Sequence, residues 1–480
     1  MAGAQAVLIF ILAFAQLCAS GNPGVKVRLT KTGIEFANKM AYGEIIHQIQ
    51  TLSIPDQSGS EGPISYTLSN IKITKVAPPT SSISLVPTKN GVSWALKNLG
   101  ISIHADWKVK YKNGIIPIST SGSVDVTVSG MDLVETASFS TDKSGRPSIA
   151  SSGCSDSIGG VSMEFHGGIA FIINLFRPTI EHKIKDILQP KVCEEVVGVV
   201  NNNAEKALAS IAVTIEVAKV FLVDYRLVGS PNITEEYVEV YDKGEVFWKA
   251  NATEAPLSPK PLPAWKNNSR HVYIWGTEYT PQTFLYQAHT HGYLKYNVTE
   301  KDLPHDYESY LNTTCKLKCI GSIVPPIGIK YPNSTVQLGL QTSAVPTVTM
   351  SNNTLTVDVS ALVTMWARTP NNALPFLATL AVNASFTVQP NVTNERLSGK
   401  ITGHAFKLSV VKSAVGYLHP ALYNTVIDGI LDIVVIPKLN DVAAKGAQLP
   451  IVDGVHFNNT ILLVQEGSLM IGTDLAYKPK

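Results

Sequence analysis

The stretch from Cys154 to Cys193 limits the possible folds most, because its hydrophobic period changes once between two cysteines. Ile158, Val161, Met163 and Phe165 interleave with polar residues, as in a strand with one buried face. From Ile169 onward, Ile172, Ile173, Phe176, Ile180, Ile184, Ile187 and Leu188 recur at three and four residues, an apolar stripe along a long helix. A bridge between Cys154 and Cys193 would fasten the far part of that helix to the preceding strand. Closing a loop of roughly 40 residues contributes about 4 kcal/mol in chain-entropy terms. Pro178 and Pro190 are expected to kink or interrupt the helix.

The 480 residues suffice for two or three domains with a large core. Charged residues are only 16% of the chain, so Ser, Thr, Asn and attached sugar must carry much of its solubility. A net charge of +2 does not indicate a nucleic-acid binder, and any cationic function must come from local clustering. Residues 1–20 read as a secretory signal, with an apolar core over Ala6–Leu17 and small residues at Cys18-Ala19-Ser20. No later apolar run reaches the roughly 18 residues of a membrane helix, which implies a secreted, extracellular protein in an oxidising space.

Cys18 leaves with the signal, so four cysteines remain. Cys315 and Cys319 would lie about 13 Å apart on an extended strand, and only a turn or helical bend could join them. A zinc site there lacks a second Cys/His pair at ligand spacing. Glycosylation acceptors occur at Asn232, Asn251, Asn267, Asn297, Asn312, Asn333, Asn352, Asn383, Asn391 and Asn458, all in the second half. The first half keeps a bare protein surface.

Val25–Leu29 reads as a strand, followed by an amphipathic helix to about Leu52, with Thr32 and Glu35 at capping-box spacing. Strands fill Ile64–Ala150, broken by turns such as Lys89-Asn90-Gly91 and Lys112-Asn113-Gly114. Ile211–Leu227 reads mainly as strand, and the Pro-rich 255–263 as a semi-rigid linker. Strands are expected from about Tyr273 to Val388. A second helix then covers Val415–Val435, with Leu418, Leu422, Val426, Ile430 and Val434 stepping by four.

Several of these segments resemble the bactericidal/permeability-increasing and lipopolysaccharide-binding protein family, which includes lipid-transfer proteins. The strand cysteine, the long helix and Val192-Cys-Glu-Glu-Val196 carry the resemblance, with Asn22–Ile34, Ile54-Pro55-Asp56, Ser84-Leu-Val-Pro87, Ile436-Pro-Lys-Leu-Asn440 and Gly472–Lys478. The resemblance implies an α+β fold: an elongated boomerang of two similar barrels, each a twisted antiparallel sheet with a long helix, joined by a central sheet. On that plan 21–212 is the N-terminal barrel and 213–280 holds central-sheet strands with a linker at 251–264. Residues 281–436 form the C-terminal barrel, and 437–480 its helix end and return strands.

The best local chemistry is Ile101–Lys112. As a strand, Ile101, Ile103, Ala105, Trp107, Val109 and Tyr111 share one face, while Lys108, Lys110 and Lys112 share the other. Lys89 and Lys97 lie just upstream. From Lys26 to Lys112 there are 11 basic residues against five acidic ones. The plain reading is a solvated edge strand protected by lysines. The resemblance implies instead a basic tip for lipid A phosphates and the bacterial outer-membrane surface, although Asp106 stands where a basic residue is expected.

The stripes at Ile172, Phe176, Ile180 and Ile184, and at Leu418, Leu422, Val426 and Ile430, are by default core. The resemblance implies a bound phospholipid between each barrel and its helix. His289 and His291 would share a strand face without a third ligand, so no metal is expected. No nucleophile elbow, zinc helix, P-loop or dinucleotide fingerprint is present, so the chain is not read as an enzyme and needs no cofactor. The leading expectation is a monomeric innate-immune protein that binds lipopolysaccharide and permeabilises Gram-negative bacteria. A lipopolysaccharide sensor or a phospholipid carrier of the same fold is the alternative, and a secreted hydrolase the remote one.

Overall fold

The computed structural model describes Leu17–Cys18 and residues 22–478, except 113–116, 211, 317–318, 352, 418 and 450–453. Most of the expected signal therefore lies outside the described residues. Leu17–Cys18 pairs with Gly229–Ser230.

Two very long strands shape the first half. Gly91–Tyr111 and Ile118–Thr141 pair with each other, and each is too long for a single outer neighbour. Ile64–Ala77 and Thr80–Val86 share the free edge of the first, and Pro147–Ser157 and Gly160–His166 that of the second. With Gln57–Glu61 they make a seven-stranded antiparallel sheet. Its inner face is the predicted apolar set: Ile101, Ile103, Ala105, Trp107 and Val109 are all buried. Gly91–Tyr111 is paired on both sides, so the edge-strand reading of its lysines does not hold.

The helix Lys31–Gln50 and the helix Ala170–Gly198 close this sheet. The first begins at Thr30, not at a Thr32–Glu35 box: the Thr30 hydroxyl accepts from the Gly33 N–H at 3.3 Å and donates to the Arg270 carbonyl. Anchoring of Thr30 to the neighbouring chain sets the earlier start. In the second helix neither Pro178 nor Pro190 interrupts the helix. Both are exposed, as are Asn174 and Asp186 four residues before them, so carbonyls deprived of a donor face water. Ile172, Ile180 and Leu188 are fully buried, whereas Ile169 precedes the helix and is exposed. The helical path ends in a π turn, Val199–Ala204, and a short helix, Glu205–Ala209.

The second half repeats the plan with Thr335–Thr342, Thr354–Arg368, Phe376–Thr393 and Arg396–Ser413 as its main strands. Its helix starts at Pro420, not Val415, and runs through a π turn at Leu431–Val435 into Ile436–Lys445. Two other expectations change. The expected strand run up to Leu227 is a hairpin of two short strands, Thr214–Val217 and Phe221–Asp224, turned by Ala218 and Lys219 at positive φ, with Ile211 outside the described residues. Tyr279–Thr290 is a helix, because Tyr279, Thr283 and Gln287 recur at four and face the core.

Between the halves lies a six-stranded sheet in which Val25–Thr30 is inserted between Tyr237–Asp242 and Val272–Thr277, followed by Ser468–Tyr477 and Val455–Gln465. One hydrophobic cluster joins this sheet to Val92, Phe139 and Ile149 of the first half and Val348 and Met350 of the second. Each barrel therefore has a near end at the central sheet and a far end. In the first half Tyr111 and Ile118 mark the far end; in the second Arg368 and Phe376 do.

Both cysteine pairs are bridged, Cys154–Cys193 and Cys315–Cys319. The first spans 39 residues and ties the long helix to strand Pro147–Ser157. Replacing Cys154 and Cys193 together by Ala is expected to lower the unfolding free energy of the first half by about 4 kcal/mol at most. Chemical denaturation of both proteins measures it, and an unchanged midpoint would remove the bridge from the stability argument.

Candidate functional site

The far end of the N-terminal barrel presents the lysine row as the alternation requires. Lys108, Lys110 and Lys112 are exposed while Trp107 and Val109 are buried. Among the described residues none of the three lysines makes an ion pair. Their cross-strand neighbours are hydroxyls: Thr67 and Ser121 beside Lys108, Ser65 and Ser119 beside Lys110. Ammonium groups about 7 Å apart along the strand, flanked by O–H donors, suit a surface of phosphate oxygens.

Lys89 and Lys97 do not join this row. Lys97 lies 11 positions before Lys108 on the same strand, roughly 35 Å away at strand rise, and Lys89 is farther still. Between Lys97 and Lys108 the strand passes a bulge at Asn98, which adopts φ +60° and lets the strand continue. Lys26 and Arg28 also drop out of the local charge. Both are buried on Glu239, at 3.1 and 2.7 Å.

Asp106, the residue out of place in the basic run, accepts from the Asn70 amide at 2.7 Å. The next polar row inward is acidic and imidazole-rich. Asp125 is bonded by His104 Nδ1 at 2.7 Å and by His166 Nε2 at 2.9 Å, and these bonds hold its carboxyl below the usual range.

A second component of this end was missed in sequence. The start of the long helix places Phe171 edge-on to Tyr111 at 6.0 Å, and Ile118 sits directly across from Tyr111. Ile118, Ile169, Phe171 and Leu175 are all exposed. Arg177 adds an exposed cation, its guanidinium over Phe165 at 5.2 Å and donating to the Met163 carbonyl. The helix can approach this closely because residue 168 is Gly. At its φ of +81° a Cβ would stand 2.3 Å from the Trp107 ring. The lysines thus border an apolar rim.

Beneath the helix, Ile180 and Ile184 line a wholly apolar cleft with Ile54, Leu68, Ile103 and Val126, whose free space is about 20 Å³, room for little more than one water molecule. Ligand pockets are typically about 300–1,000 Å³, so a two-chain lipid would need the helix to ride outward. Ile172 is buried in the same core cluster. In the second half Val426 and Ile430 are buried against the sheet. Leu418 and the side chains of Phe176 and Leu422 lie outside the described residues. His289 bonds Thr342 and His291 stacks on Trp248, so the two histidines have separate structural partners. Of the glycosylation acceptors, Asn312 is half-buried and Asn352 lies outside the described residues; the others are exposed.

Residues 33–203 match the LBP / BPI / CETP family, N-terminal domain, and residues 215–477 match the LBP / BPI / CETP family, C-terminal domain. The chain belongs to this family. It is 31% identical to a bactericidal permeability-increasing protein of Sebastes schlegelii, covering 97% of this chain and 98% of that one. It is 25% identical to the lipopolysaccharide-binding protein of Homo sapiens, over 98% and 97% of the two chains. A crystal structure of lipopolysaccharide binding protein shares the fold, with TM-score 0.64, 24% identity and coverage of 96% of this chain and all of that one.

Glu135 is the polar exception inside the N-terminal barrel. It is buried in register between Trp94 and Cys154, and neither carboxylate oxygen is ion-paired among the described residues. Burial pushes its carboxyl above the ordinary 4.5, with the Ser151 hydroxyl acting the other way. The raised value favours folding in acid, and that contribution is lost as pH rises through the folded value. Glu135→Gln is therefore expected to raise the neutral-pH unfolding midpoint, with the gain closing below about pH 4.3. Thermal unfolding against pH checks it; a loss at neutral pH would show an ionised, partnered carboxylate.

Proposed function

We propose that this chain is a secreted, non-enzymatic lipid-binding protein of innate defence that docks on lipid A of Gram-negative lipopolysaccharide through the far end of its N-terminal barrel. The observation that carries the reading is the row Lys108, Lys110, Lys112, free of carboxylate partners among the described residues and flanked by four hydroxyl side chains. Lipid A presents phosphates above acyl chains, and this end presents cations and hydroxyls beside an apolar rim. Ammonium groups that reach those phosphates displace the divalent ions bridging neighbouring molecules, which loosens the outer membrane and gives the antibacterial, permeability-increasing activity. The relatives named for bactericidal permeability increase and lipopolysaccharide binding support the direction.

Secretion is supported by the two disulfides and by exposed glycosylation acceptors in the second half. Among the described residues no helix is long and apolar enough to cross a membrane. The chain acts as a monomer in this reading, since the lysine row sits on one strand and needs no second copy. The apolar cleft under Ile180 and Ile184 favours a second role, holding a phospholipid once the helix moves outward, as a carrier of the same fold would.

Replacing Lys108, Lys110 and Lys112 by Ala removes about 1 kcal/mol each near an anionic surface. Lipopolysaccharide binding at low salt should weaken on the order of a hundredfold, and the difference should shrink as salt screens the charges. Titration of lipopolysaccharide at low and physiological salt reads both. Equal affinity and equal salt slope would move the function to the apolar cleft, where lipid exchange between vesicles is the measurement.

A further inference from the structure

The far end of the C-terminal barrel is built from segments that are distant in sequence. Lys330, the last residue of the helix Pro325–Lys330, donates to the Ala414 carbonyl at 2.6 Å. Ala414 in turn donates to the Leu377 carbonyl at 2.8 Å, and the Lys412 ammonium lies 5.5 Å from the Phe376 ring. The Ser413 hydroxyl donates to the Gly416 carbonyl and folds the turn that carries Tyr417. Phe376 pairs with Trp366 at the strand ends farthest from the central sheet.

Two properties coincide there. Large apolar side chains stand almost free of the protein: Ile329 is 82% exposed and Tyr417 84%, with Leu374 and Val411 more than half exposed. Such side chains grouped at one end of a secreted protein mark a contact surface. Carboxylates are also missing. Between Ser309 and Ile427 the sequence has only Asp358 and Glu395. Asp358 pairs with Thr347, and Glu395 accepts from the Phe457 N–H, both toward the central sheet. Lys316, Lys330 and Lys412 are exposed in the same part of the barrel. Of the carboxylates just before this span, Glu300 is taken by Arg368 at 3.6 Å and Glu308 lies 3.6 Å from His305, while Asp306 is exposed.

We propose that this end is a second contact for an anionic lipid bilayer, with Ile329 and Tyr417 entering the interface and Lys330 and Lys412 meeting phosphates. Charge selects this occupant. A neutral apolar partner would gain nothing from a cationic border, whereas an acidic bilayer offers acyl chains and phosphates together. The site is separate from the lysine row of the N-terminal barrel, because the two far ends lie on opposite sides of the core cluster that spans the central sheet.

The test uses the full secreted chain with its glycans and vesicles of phosphatidylglycerol mixed with phosphatidylcholine. A chain carrying Lys108→Ala, Lys110→Ala and Lys112→Ala should keep measurable flotation with these vesicles. Adding Ile329→Ser and Tyr417→Ser should lower that residual binding at least tenfold, and pure phosphatidylcholine should bind poorly throughout. Both side chains are exposed, so unchanged circular dichroism is expected and serves as the fold control. Residual binding that survives the Ile329/Tyr417 change overturns the proposal. So does self-association that is lost in the Ile329/Tyr417 variant while vesicle binding stays, which would make the surface an interface between copies. Neither result bears on the N-terminal row, whose failure would appear as unaltered lipopolysaccharide binding in the triple lysine variant alone.

Discussion

A buried arginine holds the middle of this molecule together. Arg28 enters the central sheet from the N-terminal strand with its guanidinium 3.9 Å above the Tyr237 ring. Nε and Nη2 donate to Glu239, and Nη1 donates to the Trp265 carbonyl and the Asn268 side chain. Lys26 shares Glu239 and stands 4.1 Å from the Trp275 ring. Burial pulls the Lys26 ammonium down while Glu239 pulls it up, and the two cations hold Glu239 in its charged form despite burial. Taking these charges out of water is costly unless every donor is met. The Pro-rich segment therefore does more than link. It leads directly into Trp265 and Asn268, which supply two of the acceptors, and its Leu262 packs with Trp265 on Tyr273, Trp275 and Met470.

With the centre fixed in this way, exposed cations and exposed apolar surface lie outward. Near the central sheet, charge is paired and apolar residues are sealed in one cluster. At the far ends, Lys108, Lys110 and Lys112 have no carboxylate partner among the described residues, and apolar side chains face water. The two ends reach this state differently. The N-terminal end sets lysines on a rigid paired strand beside hydroxyls. The C-terminal end puts its most exposed side chains on a short helix and a turn.

Periodicity made the strands and long helices legible, because burial on one face imposes it directly: the alternation over Ile101–Tyr111 and the stripe through Ile172, Ile180 and Leu188 both appear as read. What failed were inferences about neighbours. Lys89 and Lys97 looked close to Lys108 because they lie just upstream in sequence, yet one strand runs on through a bulge at Asn98 and sets them far apart. Lys26 and Arg28 counted toward a basic surface because their partner, Glu239, lies more than 200 residues away. Tyr279–Thr290 looked like strand because its aromatic and β-branched residues favour sheets, while its buried positions follow helical spacing. The apolar rim at Phe171 and Leu175 falls outside the helical stripe read from the sequence, and it is found only where the helix start at Ala170 leaves both side chains exposed. The exposed Ile329 and Tyr417 left no periodic signal, since each sits at the end of an element.

The place of Val25–Thr30 between strands that begin at Tyr237 and Val272 has a consequence for how the chain comes to be. The ribosome makes this strand near the start and both of its neighbours some 200 residues later. At ~5–20 residues per second that interval is at least ten seconds. During it the strand's two edges and the Arg28 charge have no native partners, while the barrel that follows can already close on its own helix. The N-terminal barrel is therefore expected to fold first, with a loose leading strand that docks only when the second half emerges. Chaperones that cover open strand edges would act in that window, and slowing translation there would lengthen it.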